Sequence, residues 1–259
     1  MPIRWDVRNN VGIAQIDRPE RRNALNAELC ADLAAHLSAH QDLGAVVIGA
    51  TGDRAFCAGA DLGRRAADTE GGLEHGGNDS FRPAFEAMLD AIVDHPAPVI
   101  AAVNGPALGA GMQLAVACDL RVVAPNAKFG IPAGKLGVLI SAANIRRLVL
   151  VVGHAAARDI LLTARTFDVD EAERVGLVQR RDNDASSGAT ALAGEIVALA
   201  PLSVRGHKHA LNRVADAIEL DQQVLAELSD REVAAFDSRD LQEGLTAFSE
   251  KRAPQFEGR

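Results

Sequence analysis

The sequence predicts an α/β fold, in which parallel strands are covered by helices, followed by a helical C-terminal section. Three short apolar runs support the sheet, at residues 45–48, 99–103 and 120–123. None of them alternates between apolar and polar side chains. Each is therefore expected to be buried on both faces, as strands of parallel sheets are. After Ser141, helical patterns dominate instead.

Local signals predict the elements of the first half in order. Residues 11–16 are expected to form a strand, and DRPE at 17–20 turns the chain. Asn26 is the expected N-cap of a helix with leucines at four-residue spacing. Residues 63–80, with paired glycines and many charges, predict a surface loop. Residues 81–93 predict the next helix.

The second half is predicted to be mainly helical. Short helices are expected at 157–162 and 170–175, and a longer one at 185–199. Pro201 suits the first turn of a helix, so it is expected to begin the last section. Ser238 is the expected N-cap of the final helix.

Composition excludes several classes of protein. The 259 residues include 27 Lys plus Arg and 35 Asp plus Glu, for a net charge of −8. With 8 Phe, one Trp and no Tyr, such an acidic chain lacks the basic surface and stacking aromatics of nucleic-acid binders. The three cysteines form no CxxC pair, and the first ten residues contain no apolar signal-peptide core. We therefore expect a reduced, cytoplasmic, soluble protein.

One uncharged stretch has the length of a membrane-spanning helix. Residues 97–118 contain no charged side chain, which is also typical of a membrane-spanning segment. Gly105 and Pro106 interrupt the stretch near its middle, where they would break a helix. We interpret it as a segment of the buried core.

Two glycine-rich turns are the candidate chemical features, at residues 51–62 and 104–113. Small residues let the backbone approach a ligand, and free N–H groups at a helix start can hold a negative oxygen. The two turns could jointly form an oxyanion hole, or could simply allow tight helix–sheet packing. A dinucleotide site is disfavoured, because the second turn lacks G-x-G-x-x-G spacing and no acidic residue ends a following strand.

A series of motifs along the chain carries a family resemblance. They are DRPERRNALN at 17–26, FCAGADL at 56–62, AAVNGPALGAGMQLAVACD at 101–119, FGIP at 129–132 and EGLTAFSEKR at 243–252. Together, and in this order, they resemble the enoyl-CoA hydratase/isomerase (crotonase) superfamily from about residue 11 to the end.

The resemblance implies a fold and an assembly. Residues 1–200 would form the crotonase-like spiral of ββα units, and residues 201–259 a helical section that packs in homotrimers or in a dimer of trimers. The apolar residues expected at that interface are Leu220, Val224, Leu241, Leu245 and Phe248.

The resemblance also implies a site for acyl-CoA or enoyl-CoA. The backbone N–H groups of Ala60 and Ala110 would be the oxyanion hole. The coenzyme A part would lie against Arg22, Ala24, Ala58, Ala60, Asp61 and Leu62. The acyl part would lie near Gly109, Ala110, Gln113, Pro132 and Ala133, with the 63–80 loop at the border of its pocket. The thioester is the ligand, so no separate cofactor and no metal are expected.

The sequence departs from the family at both proton-handling positions. The hydratases use two glutamates to hold and activate water and to protonate the α-carbon, but these positions are Gln113 and Ala133 here. A glutamine amide can hydrogen-bond a water molecule and cannot take its proton. A positioned acid or base typically contributes about 10²- to 10⁴-fold to a rate, so hydration is expected to be very slow.

No substitute acid or base is assigned from the sequence. The residues considered were Asp61, Glu74, His75, Lys135, His154 and Cys57. The simpler role for Asp61 is local hydrogen bonding, and Glu74, His75 and Lys135 are expected to be solvated surface residues. His154 is expected at a helix start, and Cys57 is expected to be a small buried residue.

Three functions remain open. The first is a protein of fatty-acid metabolism that binds acyl-CoA or enoyl-CoA with little or no hydratase activity. The second is an active lyase of the hydratase/isomerase type with a non-standard acid or base. The third is a scaffold whose trimer surface binds another enzyme of lipid metabolism.

Overall fold

The computed structural model describes residues 3–61, 80–216 and 222–258. Its strands are β1 (Ile3–Arg8), β2 (Val11–Ile16), β3 (Ala45–Ala50), β4 (Val99–Val103), β5 (Ala107–Leu108), β6 (Leu120–Val123), β7 (Lys128–Gly130), β8 (Thr166–Asp168) and β9 (Arg180–Arg181). Its helices are α1 (Ala27–Ala39), α2 (Phe81–Asp94), α3 (Ala110–Ala117), α4 (Ala142–Thr163), α5 (Val169–Arg174), α6 (Ala185–Val197), α7 (Pro201–Asp216), α8 (Gln222–Phe236) and α9 (Arg239–Glu250). Some predicted features lie outside the described residues: Leu62, residues 63–79 of the predicted 63–80 loop, with Glu74 and His75 among them, and Leu220.

The larger sheet has the strand order β1-β2-β3-β4-β6-β9. All its neighbouring strands are parallel except β1 and β2. Every residue of β3 and β4 is buried, because α6 covers one face of the sheet and α1 and α2 lie on the other. The predicted α/β fold with largely parallel, doubly covered strands is confirmed.

Strand β1 was not predicted from the sequence. It pairs with β2 in an antiparallel hairpin whose turn residues, Asn9 and Asn10, have φ of 50° and 63°. Positive φ at both central positions is the geometry of a tight hairpin turn, and asparagine tolerates it. Among the six residues of β1 only Ile3 is buried. An edge strand of this kind carries little of the hydrophobic pattern on which the sequence prediction depends.

A second, three-stranded sheet has the order β5-β7-β8. The FGIP motif lies across β7 and the start of a 3₁₀ helix, Pro132–Lys135. Phe129 on β7 is fully buried against Phe167 on β8. Strand β7 runs parallel to β5, and this places the FGIP segment beside the second glycine-rich turn.

The N-cap predicted at Asn26 is confirmed, and the helix predicted at 157–162 is longer than expected. The side chain of Asn26 accepts a hydrogen bond from the Leu29 N–H, as an N-cap does. The helix predicted at 157–162 is part of the longer α4, which is broken at Gly153 by φ of 75° and ψ of 162°. Glycine adopts this conformation without strain. His154 follows the break and is exposed, in agreement with its predicted place at a helix start.

The C-terminal helices are only partly as expected. Ser238 caps α9 by accepting from the Leu241 N–H at 3.1 Å. Leu241 itself is 5% exposed, because α9 packs closely on the chain's own residues 136–137, opposite Gly244. Leu241 is therefore buried within the chain and unavailable to a partner subunit, whereas Val224 and Phe248 are exposed.

Within the described part of the chain, no single helix has the length and hydropathy of a membrane span. Helices α6 and α7 meet those criteria only together, across a bend of 110°.

Candidate functional site

The two glycine-rich turns lie side by side. Cys57 and Ala107 form a parallel bridge, and the Leu108 N–H donates to the Cys57 carbonyl at 2.9 Å. Gly111 makes this contact possible, because a Cβ there would lie 2.2 Å from the Cys57 carbonyl oxygen. The small residues that the sequence analysis treated as either packing or site residues serve the packing directly.

The first predicted coenzyme A segment joins the same layer. The Ala58 N–H donates to the Arg22 carbonyl at 3.0 Å, and the Asp61 N–H donates to the Leu25 carbonyl at 2.8 Å. Four of the residues predicted to face coenzyme A are therefore brought together: Arg22, Ala24, Ala58 and Asp61. Arg22 is exposed, and Ala24 is buried.

Asp61 is held by an ion pair. Its Oδ2 lies 2.7 Å from Nη2 of Arg18, and Nη1 of Arg18 donates to the Ala24 carbonyl at 2.7 Å. The carboxylate of Asp61 is therefore engaged by the guanidinium group of Arg18 and ties the two predicted coenzyme A segments together. The prediction of a local hydrogen-bonding role for Asp61 agrees with this geometry.

Two asparagine side chains, buried Asn23 and half-buried Asn104, hold the first turn, and neither was predicted from the sequence. Nδ2 of Asn23 donates to the carbonyls of Thr51 and Ala55 at 2.9 and 2.8 Å. Nδ2 of Asn104 donates to the carbonyls of Ala50 and Gly52 at 3.1 and 2.6 Å. Both residues lie in the quoted motifs, and an amide can satisfy several loop carbonyls at once.

The backbone N–H groups of Ala60 and Ala110 are among those in these turns that have no protein acceptor in the described residues. Each follows a glycine with positive φ, 116° at Gly59 and 56° at Gly109. Ala110 is the first residue of α3, whose N-terminus has no side-chain cap. Helix N-termini attract negative charge, since their first N–H groups are unpaired and the helix dipole is positive there.

One pocket contains both of these residues. It is lined by Ala58, Gly59 and Ala60 from the first turn and by Gly109, Ala110 and Gln113 from the second, together with Pro132 and Ala133. Its apolar wall is formed by Phe81, Phe85, Ile131, Leu136, Val138, Leu139, Ile140 and Phe236. The acyl-side residues predicted from the sequence thus lie around a single cavity.

Neither Gln113 nor Ala133 can transfer a proton in this pocket. Gln113 lies on the first turn of α3, where its N–H donates to the Gly109 carbonyl at 3.1 Å. Ala133 lies in the 3₁₀ helix and is half-buried. An amide and a methyl group offer hydrogen bonding and packing respectively, without acid or base chemistry at neutral pH.

The other candidate acids and nucleophiles that the structure describes are not in a catalytic arrangement. Cys57 is fully buried, and burial raises the pKa of its thiol to about 12, so it is not a thiolate nucleophile. Lys135 and His154 are exposed, and neither lines the pocket. No group of three His, Cys, Asp or Glu side chains able to hold a metal is found in residues 3–61, 80–216 and 222–258.

The structure adds polar pocket residues that the sequence analysis did not find. These are Arg82, Glu86, Ser141, Asn144 and Glu232. They come from α2, from the start of α4 and from α8, and none lies in a quoted motif. No local pattern distinguishes them from surface residues of the same helices.

Comparison with known proteins identifies the family. Residues 6–259 match the sequence model described as enoyl-CoA hydratase/isomerase. The chain belongs to the enoyl-CoA hydratase/isomerase family. Its relatives in this family include echA6 of Mycobacterium tuberculosis (strain CDC 1551 / Oshkosh), named a probable enoyl-CoA hydratase, which is 40% identical over 249 residues with 94% of each chain covered. The short-chain-enoyl-CoA hydratase of Clostridium acetobutylicum is 33% identical over 255 residues, covering 93% of this chain and 92% of the relative.

Solved structures of the enoyl-CoA hydratase/isomerase family share the fold. An enoyl-CoA hydratase/isomerase from Pseudoalteromonas atlantica T6c has a TM-score of 0.84 at 32% identity, covering 99% of this chain and all of that one. A carnitinyl-CoA hydratase from Mycobacterium avium has a TM-score of 0.82 at 33% identity, covering 100% and 99%. The crotonase-like fold expected from the motifs is therefore confirmed.

Proposed function

We propose that this protein binds acyl-CoA or enoyl-CoA thioesters in fatty-acid metabolism and has little or no hydratase activity. One observation carries the proposal. The unpartnered N–H groups of Ala60 and Ala110 belong to residues of one pocket that also contains Gln113 and Ala133. The donors for a thioester oxygen are backbone groups, so they survive at the same site where both family glutamates are replaced.

The chemical consequence follows from the roles of these groups. Two N–H donors polarise a thioester carbonyl and stabilise negative charge on its oxygen. Hydration also needs a base for the attacking water and a proton for the α-carbon, and neither Gln113 nor Ala133 supplies them. Because each acid or base typically contributes about 10²- to 10⁴-fold, binding without efficient turnover is the expected result.

The named relatives support the ligand class. Two of them are called a short-chain-enoyl-CoA hydratase and a carnitinyl-CoA hydratase, and both names specify a coenzyme A derivative. In this proposal the coenzyme A part lies against the layer formed by Arg22, Ala58 and Asp61.

A second candidate function has one observation in its favour. Two carboxylates, of Glu86 and Glu232, line the pocket. Either could act as a non-standard acid or base in an active lyase or isomerase. Burial raises the pKa of Glu232, an effect that favours a proton-carrying role.

Binding and turnover measured on the same preparation separate the two candidates. We expect micromolar or tighter affinity for butyryl-CoA by calorimetry and hydration of crotonyl-CoA near the uncatalysed rate. Turnover above about 1 s⁻¹, the low end of typical enzymes, contradicts the proposal and favours the second candidate. Absence of binding to any acyl-CoA contradicts both.

The oxyanion assignment has its own test. Ala110→Pro removes the proposed donor, and proline is compatible with the first position of a helix. Ala185→Pro makes the same change at the first position of α6, after the N-cap Asp184, and is the matched control. We expect the first variant alone to lose acyl-CoA affinity while both keep the wild-type circular dichroism spectrum. A folded Ala110→Pro variant with wild-type affinity refutes the assignment.

The assembly is also a proposal. Large apolar side chains remain exposed on the C-terminal helices, among them Leu202 at 90% and Phe248 at 61%. We propose that these helices contact other copies in a homotrimer or a dimer of trimers. Light scattering of the purified chain decides it, since a monomer at micromolar concentration excludes both.

A further inference from the structure

The pocket contains a polar wall that an oxyanion hole does not require. Glu86 on α2 is held there by two donors, because its Oε1 accepts from Ser141 Oγ at 2.9 Å and from Asn144 Nδ2 at 2.8 Å. Its Oε2 lies 3.6 Å from Nη1 of Arg147, beyond good hydrogen-bond distance. One oxygen of this carboxylate therefore keeps most of its capacity to accept hydrogen bonds.

Glu232 presents a second carboxylate to the same pocket. The residue is 6% exposed, and its Oε2 lies 2.7 Å from Nη2 of Arg82. Its Oε1 has no donor among the described residues. This oxygen is not one of the enclosed unpaired atoms of the described residues, so water or a ligand in the pocket can donate to it. A ligand that displaced this water without donating would leave the carboxylate without its hydrogen bond, at a cost in free energy.

Gln113 adds an amide with the same property. The residue is 9% exposed and lines the pocket, and its side chain makes no hydrogen bond to any described residue. An amide both donates and accepts, so it is suited to a polar group on a ligand. This observation is independent of the two carboxylates, because Gln113 lies on α3.

The balance of charge determines which polar group fits. Two carboxylates and one guanidinium group, that of Arg82, belong to described residues of the pocket wall. Arg147 beyond the wall is shared, since its guanidinium group pairs with Asp90 as well as with Glu86. A further anion would be repelled here, whereas a hydrogen-bond donor would satisfy the unpaired oxygens.

We infer that the acyl chain bound by this protein carries a hydrogen-bond-donating substituent, a hydroxyl or an ammonium group, that is held by Glu232 and Gln113 beside Glu86. The inference rests on the proposed function and names the substrate class of that site. A plain alkyl chain would leave these buried groups unpaired, at a cost comparable to a lost hydrogen bond for each.

The test compares matched coenzyme A thioesters by calorimetry. Saturated acyl-CoA and ω-hydroxyacyl-CoA are paired at short, medium and long chain lengths, so that the series scans the position of the hydroxyl group. The ω-amino and ω-carboxy thioesters of each length are the further arms. At the fitting length we expect the hydroxyl or amino thioester to bind about tenfold more tightly than the plain one, as for a hydrogen bond to a charged group. The better of these two arms identifies the donor.

Variants then assign the preference to residues. Gln113→Leu and Glu232→Gln are each expected to bring the affinity ratio within a pair close to one. Glu195→Gln removes an exposed carboxylate that pairs with Arg180 on the surface and should keep the wild-type ratio. Because the ratio is measured within one preparation, incomplete folding of a variant does not change it.

Each outcome has a defined meaning. Equal binding within every wild-type pair, tighter binding of the plain chains, or best binding of the ω-carboxy thioesters overturns the inference and leaves acyl-CoA binding intact. A preference that persists unchanged in both pocket variants overturns the assignment to Glu232 and Gln113. Failure of every thioester to bind overturns the inference together with the proposed function.

Discussion

The sheet-based core and the C-terminal helices are stabilised in different ways. In the core, strands β3 and β4 are buried completely, and helix α1 buries Leu29, Leu33 and Leu37 in the same apolar cluster. On α7 the large apolar residues Leu202, Leu211 and Val214 are instead 69–90% exposed. The hydrophobic effect therefore stabilises the first region within one chain and leaves the outer face of α7 uncovered.

Polar side chains attach α7 to the core. Nζ of Lys208 donates to the carbonyls of Ile92 and Ala97 at 3.2 Å each and lies 2.7 Å from Oδ2 of Asp119. Nδ2 of Asn212 adds a bond of 2.9 Å to a carbonyl at the end of α2. Helix α7 is therefore held by hydrogen bonds from its polar side chains to main-chain carbonyl groups of the core. Its large apolar residues remain exposed for the subunit contacts proposed above.

Gly111→Ala is the substitution from which we expect the greatest loss of stability, because it disrupts the contact between the two glycine-rich turns. In Gly111→Ala the new Cβ would lie 2.2 Å from the main-chain oxygen of Cys57, so the backbone must move. We expect a loss of about 3 kcal/mol or more in the free energy of unfolding and loss of acyl-CoA affinity. Gly194→Ala is the control, since nothing lies within 4 Å of its Cβ and helix propensity predicts about 1 kcal/mol of stabilisation. Urea unfolding of both variants checks this, and similar midpoints would contradict it.

Two leucine substitutions, one in the core and one on α7, test whether the two regions differ in how much their apolar side chains stabilise the chain. Leu33→Ala in α1 removes a fully buried side chain and is expected to cost about 3 kcal/mol. Leu211→Ala in α7 removes one that is 69% exposed, and should change the stability of a single chain by less than about 0.5 kcal/mol. Urea unfolding measures both, and light scattering follows assembly. Equal losses of stability in dilute monomer would show that the two regions do not differ.

Removing the buried lysine tests the attachment of α7. Lys208→Met leaves two carbonyls without their donor and Asp119 without its cation. We expect a loss of about 2 kcal/mol, below the usual cost of breaking a fully buried pair because Asp119 is part exposed. Lys128→Met, at an exposed lysine of β7, is the control and should change little. A Lys208→Met variant as stable as this control in urea would mean that Lys208 does not hold the helix.

The smallest effect is a pH dependence from His95, which lies beside the Lys208 attachment. Burial lowers the pKa of this imidazole in the folded state, and Lys208 lowers it further. The unfolded chain therefore takes up the proton first as the pH falls through about 6.5. Stability should be full above that pH and decline below it, by at most about 1.4 kcal/mol per pH unit. His95→Gln should flatten this slope and His154→Gln, at an exposed histidine, should not; identical slopes would contradict the assignment.

Much of the core could be predicted because its signals are local. The runs that became β3 and β4 contain only residues suited to double-sided burial, and Asn26 and Ser238 act as caps through their own neighbours. Strand β1 escaped prediction, because as an edge strand it has one buried side chain. Leu241 was misplaced for a related reason: an apolar residue on a terminal helix can face its own chain or another.

Some residues of the candidate site could be found from the sequence and others only from the structure. The motifs contain Ala60, Ala110, Gln113 and Ala133, and the structure brings these residues to one pocket, since each lies at a constrained turn or helix start. Glu86 and Glu232 could not be found, because they belong to helices with no sequence signature for a site. Their place in the pocket depends on how α2 and α8 pack over the two turns.

The α/β architecture, the family and the two glycine-rich turns could therefore be inferred from the sequence alone. The tertiary structure alone decided which polar groups share the pocket, that Asp61 is bound to Arg18 and that Leu241 faces inward. The physical reason is the separation in sequence between the residues that interact. Backbone conformation and burial pattern are properties of neighbouring residues, whereas the pairing of side chains distant in sequence exists only once the elements have packed.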